Sequence, residues 1–314
     1  ARWSYQAPVL YQGALWVQGS MVFISYGDAQ SHTGYLDAVA IDTGKQLWHT
    51  PVAGYNGGVP DFPVAGGDTI LSVDQGIIYA LSTTLGESEI LEAFDVSTGN
   101  RLWQHQVHEA ASTFFSESNG LVTIENDLGE YPHVDATFLA LDGKSGATRW
   151  TFDKNNFGCQ DTQPYVNKTA VYVSCVASQS QNSSILALNS VNGNLLWQQT
   201  LPASDTLSTP FQGWLLTTIT SGTLYVNAST NSASDSSIFA FDDATGHVRW
   251  NHEGELGAAG DGVICALEDY SQNADGIGYG YHSVIALDSL TGKKIWPTSF
   301  TDNSGIGAIF ITIS

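Results

Sequence analysis

The sequence predicts an all-β fold, a β-propeller of four-stranded blades spanning residues 1–314 as a single domain. Three observations carry that expectation: one phrase recurs six times, its copies lie about 45–55 residues apart, and no stretch has helical periodicity. The copies are VAIDTGKQLW, EAFDVSTGNRLW, LALDGKSGATRW, LALNSVNGNLLW, FAFDDATGHVRW and IALDSLTGKKIW. Each sets a tryptophan four residues after a glycine: Gly44/Trp48, Gly99/Trp103, Gly146/Trp150, Gly193/Trp197, Gly246/Trp250 and Gly292/Trp296.

Each copy reads as two strands and a turn. An alternating run such as SVIALD is the third strand of a blade, DSLTG is the turn, and KKIW opens the outer strand. A large ring at one place in every outer strand is expected to fill the wedge between neighbouring sheets, so these tryptophans are structural. A second strand precedes each copy (MVFISYG, GIIYALS, GLVTIEN, TAVYVSC, GTLYVNAS, GVICALE), and a less regular inner strand precedes that. Counting Trp3 and the C-terminal GAIFITIS favours seven blades, the last incomplete and closed by both chain ends; six is the runner-up.

Composition narrows the partners. The chain carries 10 Lys+Arg against 31 Asp+Glu, a formal charge of −21, which repels phosphate backbones and anionic membrane surfaces. No apolar run is long enough to span a bilayer, so no membrane span is expected. The opening ARWSYQAPVL lacks the apolar core of a signal peptide, as the mature form of a secreted protein would.

Cys159 and Cys175 flank a hairpin expected to turn near Asn167, which sets them opposite each other within disulfide reach; two buried free thiols is the alternative. Cys265, in the apolar run GVICALE, is expected to be a buried single thiol. Sequons at Asn167, Asn182 and Asn227 fall in turn-like segments and mark candidate glycosylation sites. Together these features point to the secretory pathway.

The repeated ALD-x-x-TG-x-x-x-W phrase resembles the repeat of the quinoprotein (PQQ-like) β-propeller superfamily, over essentially the whole chain. That superfamily includes PQQ-dependent alcohol dehydrogenases, the bacterial outer-membrane assembly lipoprotein and secreted eukaryotic proteins. The dehydrogenases are much longer and set an adjacent Cys-Cys pair under the cofactor; this chain has no such pair and no C-x-x-C-H. The chain also lacks a lipid-bearing Cys near Ala1. In size, acidity, sequons and repeats it is similar to fungal hetero-Diels–Alderases of tropolone-sesquiterpenoid biosynthesis. That resemblance implies a cofactor-independent enzyme, with small terpenoid or polyketide substrates. It would assist water loss from a hydroxylated tropolone and the addition of the resulting quinone methide to a humulene-type alkene.

In such a fold the chemistry is expected in the long connections on one face. His32, His133, Asp161 and His282 are the candidate acid/base groups for the dehydration. Tyr55, Phe62, Tyr131, Gln163, Trp214 and Tyr279 are the candidate substrate-binding residues, offering apolar contact and hydrogen bonds. The acidic run GESEILEAFD reads as a solvated rim. No calcium loop, H-E-x-x-H or G-x-S-x-G occurs, so neither metal nor cofactor is expected. A non-catalytic binding or scaffold propeller for protein or glycan partners is the alternative function, and a PQQ oxidoreductase a third.

Overall fold

A computed structural model describes residues 3–6, 11–28, 33–53, 70–83, 89–107, 115–128, 135–177, 183–201, 217–229, 236–268, 271–272, 279–296 and 300–306. Among them are six antiparallel sheets and no α-helix; the one helical element is a 3-10 turn at Lys154–Phe157. The first sheet holds β1 (Tyr11–Gln18), β2 (Met21–Asp28), β3 (Thr33–Ala40) and β4 (Gln46–Val52). The second holds β5 (Ile70–Asp74), β6 (Ile77–Thr83), β7 (Glu89–Asp95) and β8 (Arg101–Val107). The third holds β9 (Phe115–Ser118), β10 (Leu121–Leu128), β11 (Asp135–Asp142) and β12 (Thr148–Asp153). The fourth holds β13 (Cys159–Val166), β14 (Ala170–Ala177), β15 (Ser184–Asn189) and β16 (Leu195–Thr200). The fifth holds β17 (Thr217–Thr220), β18 (Thr223–Ser229), β19 (Ser236–Asp242) and β20 (Val248–Glu253). The sixth holds β21 (Glu255–Gly260), β22 (Val263–Glu268), β23 (Ser271–Gln272), β24 (Tyr279–Asp288) and β25 (Phe300–Ile306). In the first five sheets the strands follow chain order, so each is a meander; in the sixth, β24 pairs with β22, β23 and β25.

The chain packs as two compact units, Ala1–Asn155 with Ser190–Gly193 and Asn156–Asn189 with Asn194–Ser314. In each, the core lies between successive sheets. Phe23, Leu36, Ala38, Ile78 and Phe94 fill one layer of the first unit, and Tyr79, Leu91, Val122 and Leu141 another. Tyr172, Ala187, Leu224 and Phe241 pack in the second unit, as do Ile238, Ala240, Ile264 and Ile285.

One contact repeats throughout. Each outer-strand indole lies over a turn glycine and donates its N–H to the carbonyl three residues before that glycine. Trp3 reaches Ile41 O at 2.7 Å, Trp48 reaches Val96 O at 3.0 Å and Trp103 reaches Gly143 O at 2.8 Å. Trp150, Trp197 and Trp250 reach the carbonyls of Ser190, Asp243 and Ser289, each at 3.0 Å. A Cβ on Gly44, Gly99, Gly146, Gly193, Gly246 or Gly292 would stand 2.5–2.8 Å from the ring above it, and each glycine has φ of +66° to +73°. These six tryptophans are therefore structural, as the repeat predicts, whereas Trp296 is 46% exposed.

The turns follow from local chemistry. Gln75-Gly76, Asn119-Gly120, Ser221-Gly222 and Asp261-Gly262 have positive φ at both residues, the tight hairpin turn that suits twisted strands. The turn aspartates Asp95, Asp142, Asp242 and Asp288 accept backbone N–H groups two or three residues on. Side-chain hydrogen bonds from Arg149 and Arg249 hold Asp142 and Asp242 well below the usual carboxylate range.

The favoured count of seven blades rests in part on residues outside those described. Six sheets are present among the described residues, and β25 joins the sixth by pairing Ser283 with Thr301 and Val284 with Phe300. GAIFITIS, expected in a seventh blade, lies outside the described residues. Trp3 does dock as an outer-strand tryptophan, on Gly44.

Cys159 and Cys175 form the expected disulfide, with Cα atoms 4.9 Å apart, and Cys265 is a buried free thiol. The cysteines are diagonal rather than opposite: Cys159 pairs with Ala177 and Thr162 with Cys175, because β13 has an irregular register between Cys159 and Asp161. Replacing both with serine should lower stability by about 3 kcal/mol, the expectation for closing a loop of this length. Urea unfolding of the two forms checks it.

Two glycine variants separate backbone strain from the indole contact. Gly262→Ala, at φ +80° with nothing within 4 Å of the added carbon, should cost about 1 kcal/mol. Gly246→Ala meets the Trp197 ring as well and should cost about 3 kcal/mol or more. Paired denaturation curves give both values.

Candidate functional site

The repeats align on their turn glycine, so equivalent positions can be compared within the one chain. Seven residues before that glycine stand Asp37, Glu92, Leu139, Leu186, Phe239 and Ile285. Four repeats thus carry an aliphatic or aromatic residue where the first two carry a carboxylate. Both carboxylates are fully buried, at 0% exposure. An unpaired carboxylate there would cost several kcal/mol, so its partners define a site.

Asp37 lies on β3, opposite His49 on β4. Its Oδ1 meets His49 Nδ1 at 2.7 Å and accepts from Gln46 Nε2 at 3.1 Å, while Oδ2 accepts the Tyr5 hydroxyl at 2.5 Å. Tyr26 and Tyr35 pair across β2 and β3, and the Tyr35 ring stacks on the imidazole at 4.8 Å with 22° between planes. The Tyr26 hydroxyl stands 3.4 Å from His49 Nδ1. Burial, together with the Asp37 charge, pushes the Tyr5 and Tyr26 hydroxyls far above the usual tyrosine range, so both stay protonated donors. The His49 imidazole is thus oriented through Nδ1 by a buried carboxylate, with 43% of its side chain exposed.

Glu92 is bound differently. Its Oε1 pairs with Arg101 Nη1 at 2.9 Å, and its Oε2 accepts the backbone N–H of Ala53 at 2.6 Å. Three residues earlier, Glu89 is half-buried, its Oε2 has no hydrogen-bond partner among the described residues, and burial raises its pKa to about 7. The described part of GESEILEAFD, Glu89–Asp95, is therefore no solvated rim: Leu91, Glu92, Ala93 and Phe94 are fully buried and the other three residues partly so. In the second unit His252 Nε2 meets Glu268 Oε1 at 2.7 Å, both groups about a quarter exposed.

The anticipated residues fall as follows. Asp161 and Gln163 lie on β13, and Tyr279 and His282 on β24, with only their backbones described. His282 occupies the same repeat position as Glu89, ten before the turn glycine. His32, Tyr55, Phe62, Tyr131, His133, Asn182 and Trp214 lie outside the described residues. Asn167 sits in a turn, its Oδ1 accepting from Thr169 N and Ala170 N, each at 2.8 Å. Asn227 lies in β18 rather than in a turn, is buried, and accepts Leu256 N at 3.2 Å, so the fold keeps that side chain from solvent.

Charge divides the sheets end from end. Lys45, Arg101, Lys144, Arg149, Arg249 and Lys293 stand at the third turn of their sheets or at the start of the strand after it. At the opposite ends, where the long connections begin, stand Glu89, Asp153, Glu253, Glu255 and Glu268. The described cation at those ends is Lys154, which is fully buried.

Repeated four-stranded meanders tied by indole-on-glycine contacts make this a β-propeller protein of the PQQ-like repeat class. The chain belongs to the family described as outer membrane protein assembly factor BamB, whose model matches residues 32–209, 87–251 and 176–311. BamB of Yersinia pestis is 24% identical over 301 residues, covering 90% of this chain and 65% of its own length. Among solved structures, BamB from Moraxella catarrhalis aligns with a TM-score of 0.54 at 17% identity, covering 96% of this chain and 80% of that one. Quinohemoprotein alcohol dehydrogenase from Comamonas testosteroni aligns with a TM-score of 0.59 at 12% identity, over 97% of this chain and 63% of that one. At such identities the structural likeness is one of fold.

The fold class raises the question of a quinone cofactor. Pyrroloquinoline quinone is a tricarboxylate and needs cations around it. The described loop-bearing strand ends offer acids and one buried lysine, so this donor set does not fit that group.

The Glu89 carboxyl makes stability depend on pH with a definite sign. Its pKa is raised from 4.5 to about 7 on folding, so the fold holds its proton more tightly than the unfolded chain does. Its contribution is complete below pH 4.5 and is lost as pH rises through about 7. Glu89→Gln should flatten that part of the stability–pH curve, which thermal melts across the window would register.

Proposed function

We propose that the protein is a cofactor-independent enzyme of small-molecule metabolism, a hetero-Diels–Alderase in which residues 1–314 act as one propeller domain. The supporting observation is the imidazole of His49, oriented by buried Asp37 at a position where four other repeats carry apolar side chains. In this reading His49 Nε2 takes the ring hydroxyl proton of a hydroxymethyl tropolone. The carbon–oxygen bond to the departing hydroxyl breaks, and the proton returns to it, so one water leaves and a quinone methide remains. The quinone methide then adds to a humulene-type alkene, forming one C–C and one C–O bond with no further proton transfer. Holding the two partners in register supplies much of that second step.

His32, His133, Asp161 and His282 are the loop-borne acid/base groups of the same proposal. Tyr55, Phe62, Tyr131, Gln163, Trp214 and Tyr279 supply its apolar and hydrogen-bonding walls. The anionic strand ends favour neutral substrates such as a terpenoid alcohol. The disulfide supports an oxidising compartment, hence a secretory-pathway protein, with Asn167 and Asn182 as its glycan sites. The second reading is a scaffold propeller that binds a protein partner, favoured by the match to an assembly-factor family.

The deciding assay uses purified protein without added cofactor, a hydroxymethyl tropolone precursor and a humulene-type alcohol, followed by chiral product analysis. One stereoisomer should form faster than in buffer, and His49→Asn should slow it about 100-fold while leaving the circular dichroism unchanged. Absence of acceleration by the folded protein overturns the enzymatic reading in favour of the scaffold.

A further inference from the structure

The two buried carboxylates share a feature that their catalytic or structural neighbours do not explain. Asp37 and Glu92 occupy one repeat position, each is fully buried, and each spends one oxygen on a piece of chain outside its own sheet. For Asp37 that piece is the segment Trp3–Gln6, reached through the Tyr5 hydroxyl. For Glu92 it is the N–H of Ala53, the last described residue before the connection that runs to Ile70. The other oxygen stays in the home sheet: Asp37 Oδ1 holds Gln46 and His49, and Glu92 Oε1 holds Arg101. Gln46 and Arg101 are themselves equivalent, each two residues before its tryptophan. The same three-part arrangement is thus built twice in succession.

The remaining repeats set Leu139, Leu186, Phe239 and Ile285 at this position, so the fold has no need of a charge there. A repeat protein that keeps a polar group in an apolar column retains it for what that group binds. Fastening is the work common to both sites.

We infer that Asp37 and Glu92 are clasps: each carboxylate pins an otherwise separable strand end, the strap Trp3–Gln6 in one case and the root of the connection after Ala53 in the other. The strap has two anchors of different kinds. Trp3 is held by shape on Gly44, in the manner of every other outer-strand tryptophan, and Tyr5 is held by the charge of Asp37. Releasing the charged anchor frees the strap beside His49 while the sheets themselves persist. The inference does not depend on the enzymatic reading, since it concerns what the carboxylates hold and not what the imidazole does.

Hydrogen exchange of the intact protein tests it, with Asp37→Leu and Glu92→Leu each installing the residue that other repeats already use. Asp37→Leu should speed exchange in the peptide covering residues 3–6 about tenfold or more and leave the Ala53 peptide unchanged; Glu92→Leu should do the converse. Tyr5→Phe removes the donor without touching the core and should reproduce the first result, which keeps the test valid if Asp37→Leu folds poorly. Exchange that stays at the wild-type rate, or that rises throughout the unit in both leucine variants, overturns the clasps and makes the carboxylates ordinary members of the core.

Discussion

The contact on which the structure depends is an indole lying over a glycine. The ring needs a surface without a side chain, and the turn beneath it needs a residue at home with positive φ; glycine meets both demands at once. The indole N–H, which would otherwise be a buried donor, finds the carbonyl three residues upstream. Because ring, glycine and carbonyl belong to successive copies of one phrase, the spacing of the phrase is the spacing of the sheets. Insertions are tolerated in the connections, as the uneven intervals between copies require, but not between glycine and tryptophan.

That contact also decides where polar chemistry can arise. Fixing the tryptophan fixes the residue two positions on, which reaches toward the next copy. Tyr5 meets Asp37, Thr50 donates to Gly99 O at 2.8 Å, and His252 meets Glu268. The seams are therefore places where one substitution creates a side-chain pair whose geometry is already set by the docked indole. His252 is oriented in this way without any dedicated loop, whereas His49, one residue after Trp48, is oriented within its own sheet by Asp37 on β3.

The glycine–tryptophan period, the turns, the four-stranded sheets and the Cys159–Cys175 pair were legible in the sequence because each rests on residues close together or evenly spaced. The offset of the cysteines was not, since an irregular register in β13 leaves no local signature. Glu89 and Glu92 were misread because alternation separates a buried face from a wet one only when one face is wet. In β7 the sets Glu89, Leu91, Ala93 and Ile90, Glu92, Phe94 are both covered. The usable signal lay down the column of repeats, where two acids stand among leucine, phenylalanine and isoleucine. His49 carries no such mark: its equivalents are Gln104, Thr151, Gln198, Asn251 and Pro297, polar in four of five repeats, and only the identity of Asp37 beside it distinguishes the site. Asn227 was taken for a turn because its segment is polar, whereas it is a strand residue whose amide serves Leu256.

The distribution of the few cations completes the physical picture. Exposed arginines pair with turn aspartates, Arg149 with Asp142 at 2.6 Å and Arg249 with Asp242 at 2.7 Å, so positive charge is consumed at the turn ends. At the loop-bearing ends the described residues include more acids than lysines and arginines, with Glu268 meeting His252. Burial alone lets the Glu89 carboxyl keep its proton more readily. Where the sequence places its basic residues thus sets the two ends of each described sheet apart in charge.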